Sequence, residues 1–191
     1  MPLEIRRLDY KEYKGKEYEA EITSDRCLEI IPDERGFSLC WKNAAPPFRM
    51  TLKDKMLSDW LEEPVAYGAF EGNVLVGFIE GFHEKWNNRF RISNICVFDG
   101  EKRKHGIGTG LMKQILVDAG KSGARMAVLE TQSGNYKAVS FYEKMGFEII
   151  GFDRYAYSNN GPEENNMRIE MGMKLQGSND GGRHEYFDYK L

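Results

Sequence analysis

Cysteine is scarce in this chain, and Cys27, Cys40 and Cys96 form neither an even set nor a Cys-x-x-Cys pair. A fully paired disulfide framework is therefore excluded, and buried, reduced thiols on strands are expected. Histidine is equally sparse: His83, His105 and His184 lie far apart, so no metal site is expected. Long hydrophobic runs are missing too. No stretch reaches the ~18 to 20 apolar residues that span a bilayer, and Met1-Pro2-Leu3-Glu4 lacks a signal-peptide pattern. The expectation is a cytoplasmic protein without a membrane partner. Excess positive charge is also absent: a formal net charge of -3 disfavours nucleic acid and makes a cationic partner easier to accept.

What remains is a chain of 191 residues, 41% hydrophobic and 30% charged, large enough for one domain whose core needs no staples. No internal repeat is visible. Residues 3–8 alternate imperfectly and read as an opening strand, and the charged, tyrosine-rich stretch after them reads as loop or short helix. Short apolar segments at 27–31 and 37–41 flank the turn-like Pro32-Asp33-Glu34-Arg35-Gly36 and predict a hairpin. Ala44-Ala45-Pro46-Pro47 must be extended or looped, because proline disfavours helix at and before itself.

From Pro64 the pattern sharpens. Residues 65–70, the turn Glu71-Gly72-Asn73 and residues 74–82 form a second hairpin rich in aromatic and β-branched side chains; Lys85-Trp86-Asn87-Asn88 then turns into a third strand at 89–98. A helix over 108–119 follows, with Leu111, Ile115 and Leu116 as its apolar stripe. Next come a strand at 126–129, a helix from about 137 to 145, and strands near 147–157 and 167–175. The tail, 176–191, opens on a glycine-rich run and is expected to be mobile beyond a single domain of residues 1–175.

The segment Arg103-Lys104-His105-Gly106-Ile107-Gly108-Thr109-Gly110 sits between an apolar strand and a helix. Strand, glycine turn and helix start make a cradle for a diphosphate, because first-turn N–H groups point outward and glycine admits close approach. It fits neither common phosphate fingerprint. A Walker loop would end in Gly-Lys-Ser/Thr, and a dinucleotide loop would carry a third glycine where Leu111 stands.

Arg103-x-x-Gly106-x-Gly108 resembles the acyl-CoA pyrophosphate loop of the GNAT superfamily of N-acetyltransferases. Asn135 followed by Phe141-Tyr142 and Gly146-Phe147 resembles that superfamily's second signature, and the likeness spans residues 68–175. It implies an α/β fold with a mixed, largely antiparallel central sheet flanked by helices, the GNAT acyl-CoA N-acyltransferase fold. It also implies acetyl-CoA as co-substrate and no metal. The backbone of Ile95, Cys96 and Val97 would pair with pantetheine, with an oxyanion donor near Val97. Arg103, Lys104, His105, Gly106, Ile107, Gly108, Thr109 and Gly110 would receive the pyrophosphate, while Asn135 and Ala138 would contact the cofactor chain.

Tyr142 matches the tyrosine that protonates the leaving thiolate, a role suited to a phenol that can donate one proton and accept another. A core aromatic is the alternative. Asn135 equally suits a helix cap. The base is less evident: many relatives carry Glu on the strand before the loop, whereas here Ser93 and Asn94 stand there. Glu80 and Glu130 remain as carboxylates acting directly or through water, with surface ion pairing as the competing role.

Trp86-Asn87-Asn88-Arg89, Leu129-Glu130-Thr131-Gln132 and Tyr155-Ala156-Tyr157 resemble the streptothricin acetyltransferases. That likeness implies a small cationic amine acceptor, the β-lysine moiety of streptothricin, and antibiotic resistance as outcome. Glu80, Glu84, Glu130 and Asp153 would supply negative charge to such an acceptor, and Trp41, Trp86, Tyr155 and Tyr157 could flank its ammonium. An acetyltransferase acting on a protein N-terminus or lysine stays open, as do a non-catalytic acyl-CoA sensor and a homodimer.

Overall fold

The computed structural model describes residues 3–98 and 106–175. Arg103, Lys104 and His105 lie outside the described residues, as does the expected mobile tail at 176–191. Strand β1 (Leu3–Arg7) leads to a single helical turn, α1 (Tyr10–Tyr13), started by Asp9, whose carboxylate accepts the Glu12 N–H at 3.0 Å. Strands β2 (Glu17–Pro32) and β3 (Phe37–Lys55) form a two-stranded sheet of their own. Then follow β4 (Val65–Glu71), β5 (Val74–Glu84), β6 (Arg89–Val97), α2 (Ile107–Lys121), β7 (Met126–Gln132), α3 (Tyr136–Lys144), β8 (Glu148–Asp153) and β9 (Arg168–Lys174).

The main sheet runs β1-β4-β5-β6-β7-β9-β8 and is antiparallel throughout except where β6 meets β7. This is the mixed, largely antiparallel α/β architecture expected. Helix α2 covers it, burying Ile107, Leu111, Met112, Ile115 and Ala119 against the sheet, with the large side chains contributing about 1.5–3 kcal/mol each. Gly110 lets the helix lie close to β1: an added Cβ would come within 2.6 Å of Ile5 Cδ1. No helix among the described residues is long and apolar enough to cross a membrane.

The first third departs from expectation. The first hairpin is far longer than 27–41, and only residues 10–13 of the preceding stretch are helical. The reason is a strict alternation, with Glu17, Glu19 and Glu21 on one face and Tyr18, Ala20 and Ile22 on the other. Opposite Glu17 and Glu19 stand Lys55 and Lys53, at 3.5 and 3.0 Å, which favours this register. Pro46 and Pro47 are accommodated at a break in the ladder, between the pairs Ser24↔Phe48 and Arg26↔Asn43. Two further expectations need correction. The strand placed at 147–157 ends at Asp153, and Cys40 is exposed whereas Cys27 and Cys96 are buried.

Candidate active site

Strands β6 and β7 touch only at their start, through Arg89↔Met126, Phe90↔Ala127 and Arg91↔Val128. Beyond Arg91 they separate. A β-bulge marks the point: β5 pairs Gly81 with Ile92 and then Glu80 with Asn94, leaving Ser93 as the extra residue. Such a bulge bends its strand and re-aims the side chains after it. The wedge opens into a cavity of about 1140 Å³, lined by Ile95, Cys96 and Val97 from β6 and Thr131 and Gln132 from β7. The long hairpin roofs it with Ala20, Ile22, Met50, Leu52 and Asp54.

One end of the wedge is the start of α2. Gly106, its N-cap, has φ 77, a left-handed conformation that glycine adopts without strain, and it offers no side chain to cap the helix. Gly106, Gly108 and Thr109 line the cavity; Ile107 faces the core and Gly110 packs on Ile5, so these two have only backbone to offer a ligand. Helix α3 forms a neighbouring wall with Asn135, Ala138, Phe141 and Tyr142. Asn135 caps that helix, its Oδ1 accepting the Ala138 N–H at 3.3 Å, while also facing the cavity. Burial, with a smaller effect of nearby Cys96, pushes the Tyr142 phenol well above its ordinary value, so it stays protonated at neutral pH.

The acceptor-side candidates scatter. Glu130 lines the cavity, 3.4 Å from the Tyr157 hydroxyl and 4.0 Å from the Arg168 guanidinium. Glu80 is fully buried beneath the wall, accepting the Leu57 N–H at 2.7 Å and the Asn94 amide at 2.8 Å. Glu84, Trp86, Asp153 and Tyr155 are not brought to the cavity. Glu84 is held by Arg89 and Arg91; burial would raise its carboxyl, but the Arg91 and Asn87 hydrogen bonds and both arginine charges outweigh this and hold it below the usual carboxylate range. Trp86 is 83% exposed on the β5–β6 turn, Tyr155 is exposed, and Asp153 pairs with Arg168 at 3.7 Å.

Other residues stand where those were expected. Asp54 and Asn94 line the cavity, with Tyr18 hydrogen-bonded to Asn94 at 2.8 Å, and Trp60, Arg168 and Glu170 line it too, beside Tyr157, an aromatic already expected near the acceptor. For Asp54 the signal was the hairpin alternation, in which a carboxylate follows Met50 and Leu52 on the inward face.

Comparison with known proteins decides the family. Residues 28–147 match the Acetyltransferase (GNAT) family. The chain belongs to that family. This GNAT protein is an N-acetyltransferase, 31% identical over 133 residues to Streptothricin acetyltransferase of Escherichia coli, an alignment covering 68% of this chain and 72% of that one. It is 28% identical over 138 residues to N-alpha-acetyltransferase 30 of Mus musculus, covering 68% of this chain and 37% of the relative. In structure the acetyltransferase is similar to Nourseothricin acetyltransferase, with TM-score 0.72 and 24% identity, covering 91% and 99% of the two chains. A Bacillus anthracis protein described as a streptothricin acetyltransferase, crystallised with acetyl coenzyme A, gives TM-score 0.69 and 23% identity over 92% and 99%.

Proposed function

We propose that this acetyltransferase moves the acetyl group of acetyl-CoA onto an amino group of a small cationic molecule, the β-lysine amine of streptothricin, and so inactivates the antibiotic. The observation that carries the reading is the roofed wedge between β6 and β7: glycine-started α2 at one end, a buried phenol in the wall, and carboxylates at the far side. The residues fit the donor. Gly106 leaves room, since an added Cβ would meet nothing within 4 Å among the described residues, and the start of α2 favours an anion such as a diphosphate.

Acetyl-CoA supplies a thioester, whose acyl carbon is attacked by the amine. An alkylammonium titrates near ~10.4, so it must lose a proton before attack. A cavity carboxylate, directly or through water, receives that proton and passes it to solvent. The backbone near Val97 faces the developing oxyanion. As the C–N bond completes and the C–S bond breaks, Tyr142 gives its proton to the departing thiolate and regains one from the nitrogen.

Similarity to N-alpha-acetyltransferase 30 keeps a peptide N-terminus as the second reading. The hairpin roof speaks against it, because Met50, Leu52 and Asp54 line the cavity and leave less room there for an extended polypeptide. Acetyl-CoA consumption measured against streptothricin, spermidine, an aminoglycoside and a peptide separates the readings. Preferred turnover of the peptide would overturn the small-amine assignment.

A further inference from the structure

Four polar side chains from four elements meet at the base of the hairpin roof. Asn94, the residue after the bulge, uses its whole amide: Oδ1 accepts the Tyr18 hydroxyl at 2.8 Å, and Nδ2 donates to Glu80 Oε1 at 2.8 Å and to Asp54 Oδ2 at 3.4 Å. Glu80 is completely buried and spends its other oxygen on the Leu57 N–H. Asp54 is half-buried and opens on the cavity. Burial, together with the charge of Asp54, raises the Glu80 carboxyl above the ordinary range.

Among the described residues no lysine or arginine pairs with either carboxylate. The lysines flanking Asp54 in sequence are on the opposite face of β3, where Lys53 meets Glu19 and Lys55 meets Glu17. The inward face of this part of the hairpin is otherwise uncharged: Tyr18, Ala20, Ile22, Met50 and Leu52 share it with Asp54. Asp54 accepts the Lys55 N–H at 2.7 Å as well as the Asn94 amide, but no counter-charge meets it among the described residues, and an inward carboxylate without one costs solvation unless a cation joins it. Its place on the wall also suits the reaction, since Asn94 is next to Ile95 on the strand that borders the wedge.

We propose that Asp54 is the residue that receives the acceptor's ammonium group, and that Glu80 is a positioning residue acting through Asn94 to hold Asp54 toward the cavity. The inference rests on the small-amine reading and names the carboxylate that reading leaves open. Asp54 touches the substrate; Glu80 does not. In the reaction Asp54 orients the ammonium and accepts one of its protons, directly or through water, passing it to solvent at the cavity mouth; the freed lone pair forms the C–N bond as the C–S bond breaks, and Tyr142 protonates the departing thiolate and regains a proton from the nitrogen.

The test compares wild type, Asp54→Asn, Glu80→Gln, the double variant and Glu130→Gln. For each, acetyl-CoA affinity is measured by calorimetry, and kcat and KM are measured with streptothricin, spermidine and a peptide. Asp54→Asn should raise KM for whichever amine is turned over by about ten- to hundredfold, the scale of one lost charge-assisted hydrogen bond, with acetyl-CoA affinity unchanged. Glu80→Gln should raise KM less, and should add nothing when combined with Asp54→Asn, because its effect passes through Asp54. A merely structural Glu80 would give additive losses. Normal KM in Asp54→Asn, or a KM effect confined to Glu130→Gln, overturns the inference. If wild type fails to bind acetyl-CoA at all, the broader reading falls instead. Asp54 is partly exposed, so its variant tests the idea even if Glu80→Gln does not fold.

Discussion

Phe48, on the hairpin, lies directly against Gly134, in the turn between β7 and α3, so closely that a Cβ on residue 134 would clash with the ring. The contact docks the roof onto the wall that carries Tyr142. It is reinforced beside it, where the Leu28 N–H reaches the Ser133 carbonyl at 2.8 Å and Arg26 lies over the Tyr136 ring at 4.6 Å.

Gly134→Ala should therefore lower stability by about 2 kcal/mol, the usual scale of overpacking, and raise KM for the amine by loosening the roof. Urea denaturation with parallel kinetics checks both. Phe48→Ala removes the obstructing ring, so the double variant should lose less than the sum of the single losses. Additive losses would mean that the two residues do not share a contact.

At the other end of the wedge, Gly108→Trp should abolish acetyl-CoA binding by filling the space at the start of α2. Gly108→Ala should fold and bind nearly as wild type, because its Cβ would make only an ordinary 3.5 Å contact with Phe141 Cζ. Calorimetry distinguishes the two. Unchanged affinity in the tryptophan variant would remove this loop from the donor site.

The core of the fold was legible because its signals are local. The turn at Glu71-Gly72-Asn73, the glycines before α2 and the stripe of Leu111 and Ile115 each announce their element within a few residues. The roof was harder to read: Glu17, Glu19 and Glu21 look like a solvated charge run until Lys53 and Lys55 are known to lie opposite them. The candidate site divides the same way. Gly106, Gly108, Asn135 and Tyr142 came from motifs and all reach the cavity. Asp54 is contributed by a strand paired across thirty-six residues to Tyr18, whereas Glu84 had the right charge but its own arginines within reach on the next strand.

Tyr142→Phe tests the proposed acid. The ring is packed beside Phe141 and Phe147, so loss of the hydroxyl leaves the wall intact. Turnover should fall about a hundredfold while acetyl-CoA affinity is largely spared. Solvent-exchange or thiol-release kinetics should place the loss in the chemical step. Equal turnover would reduce Tyr142 to packing.

The two buried-side carboxylates of β5 should respond to pH with opposite sign. Glu84 is depressed below its unfolded value, so its contribution is present above the usual carboxylate range and is lost as pH falls through the depressed value. Glu84→Gln should accordingly cost about 2 kcal/mol at neutral pH and little in strong acid. Glu80 is raised, so the folded state binds its proton more tightly than the unfolded chain does, and wild-type stability relative to Glu80→Gln should decline as pH rises from the unfolded value through the raised one. Urea midpoints of wild type and both variants between about pH 3 and 8 give the two difference curves. They should slope oppositely with pH, because arginines on β6 surround one carboxylate while the other shares an amide with Asp54; parallel slopes would mean that Glu80 has a counter-charge and is not the uncompensated positioning residue inferred for it.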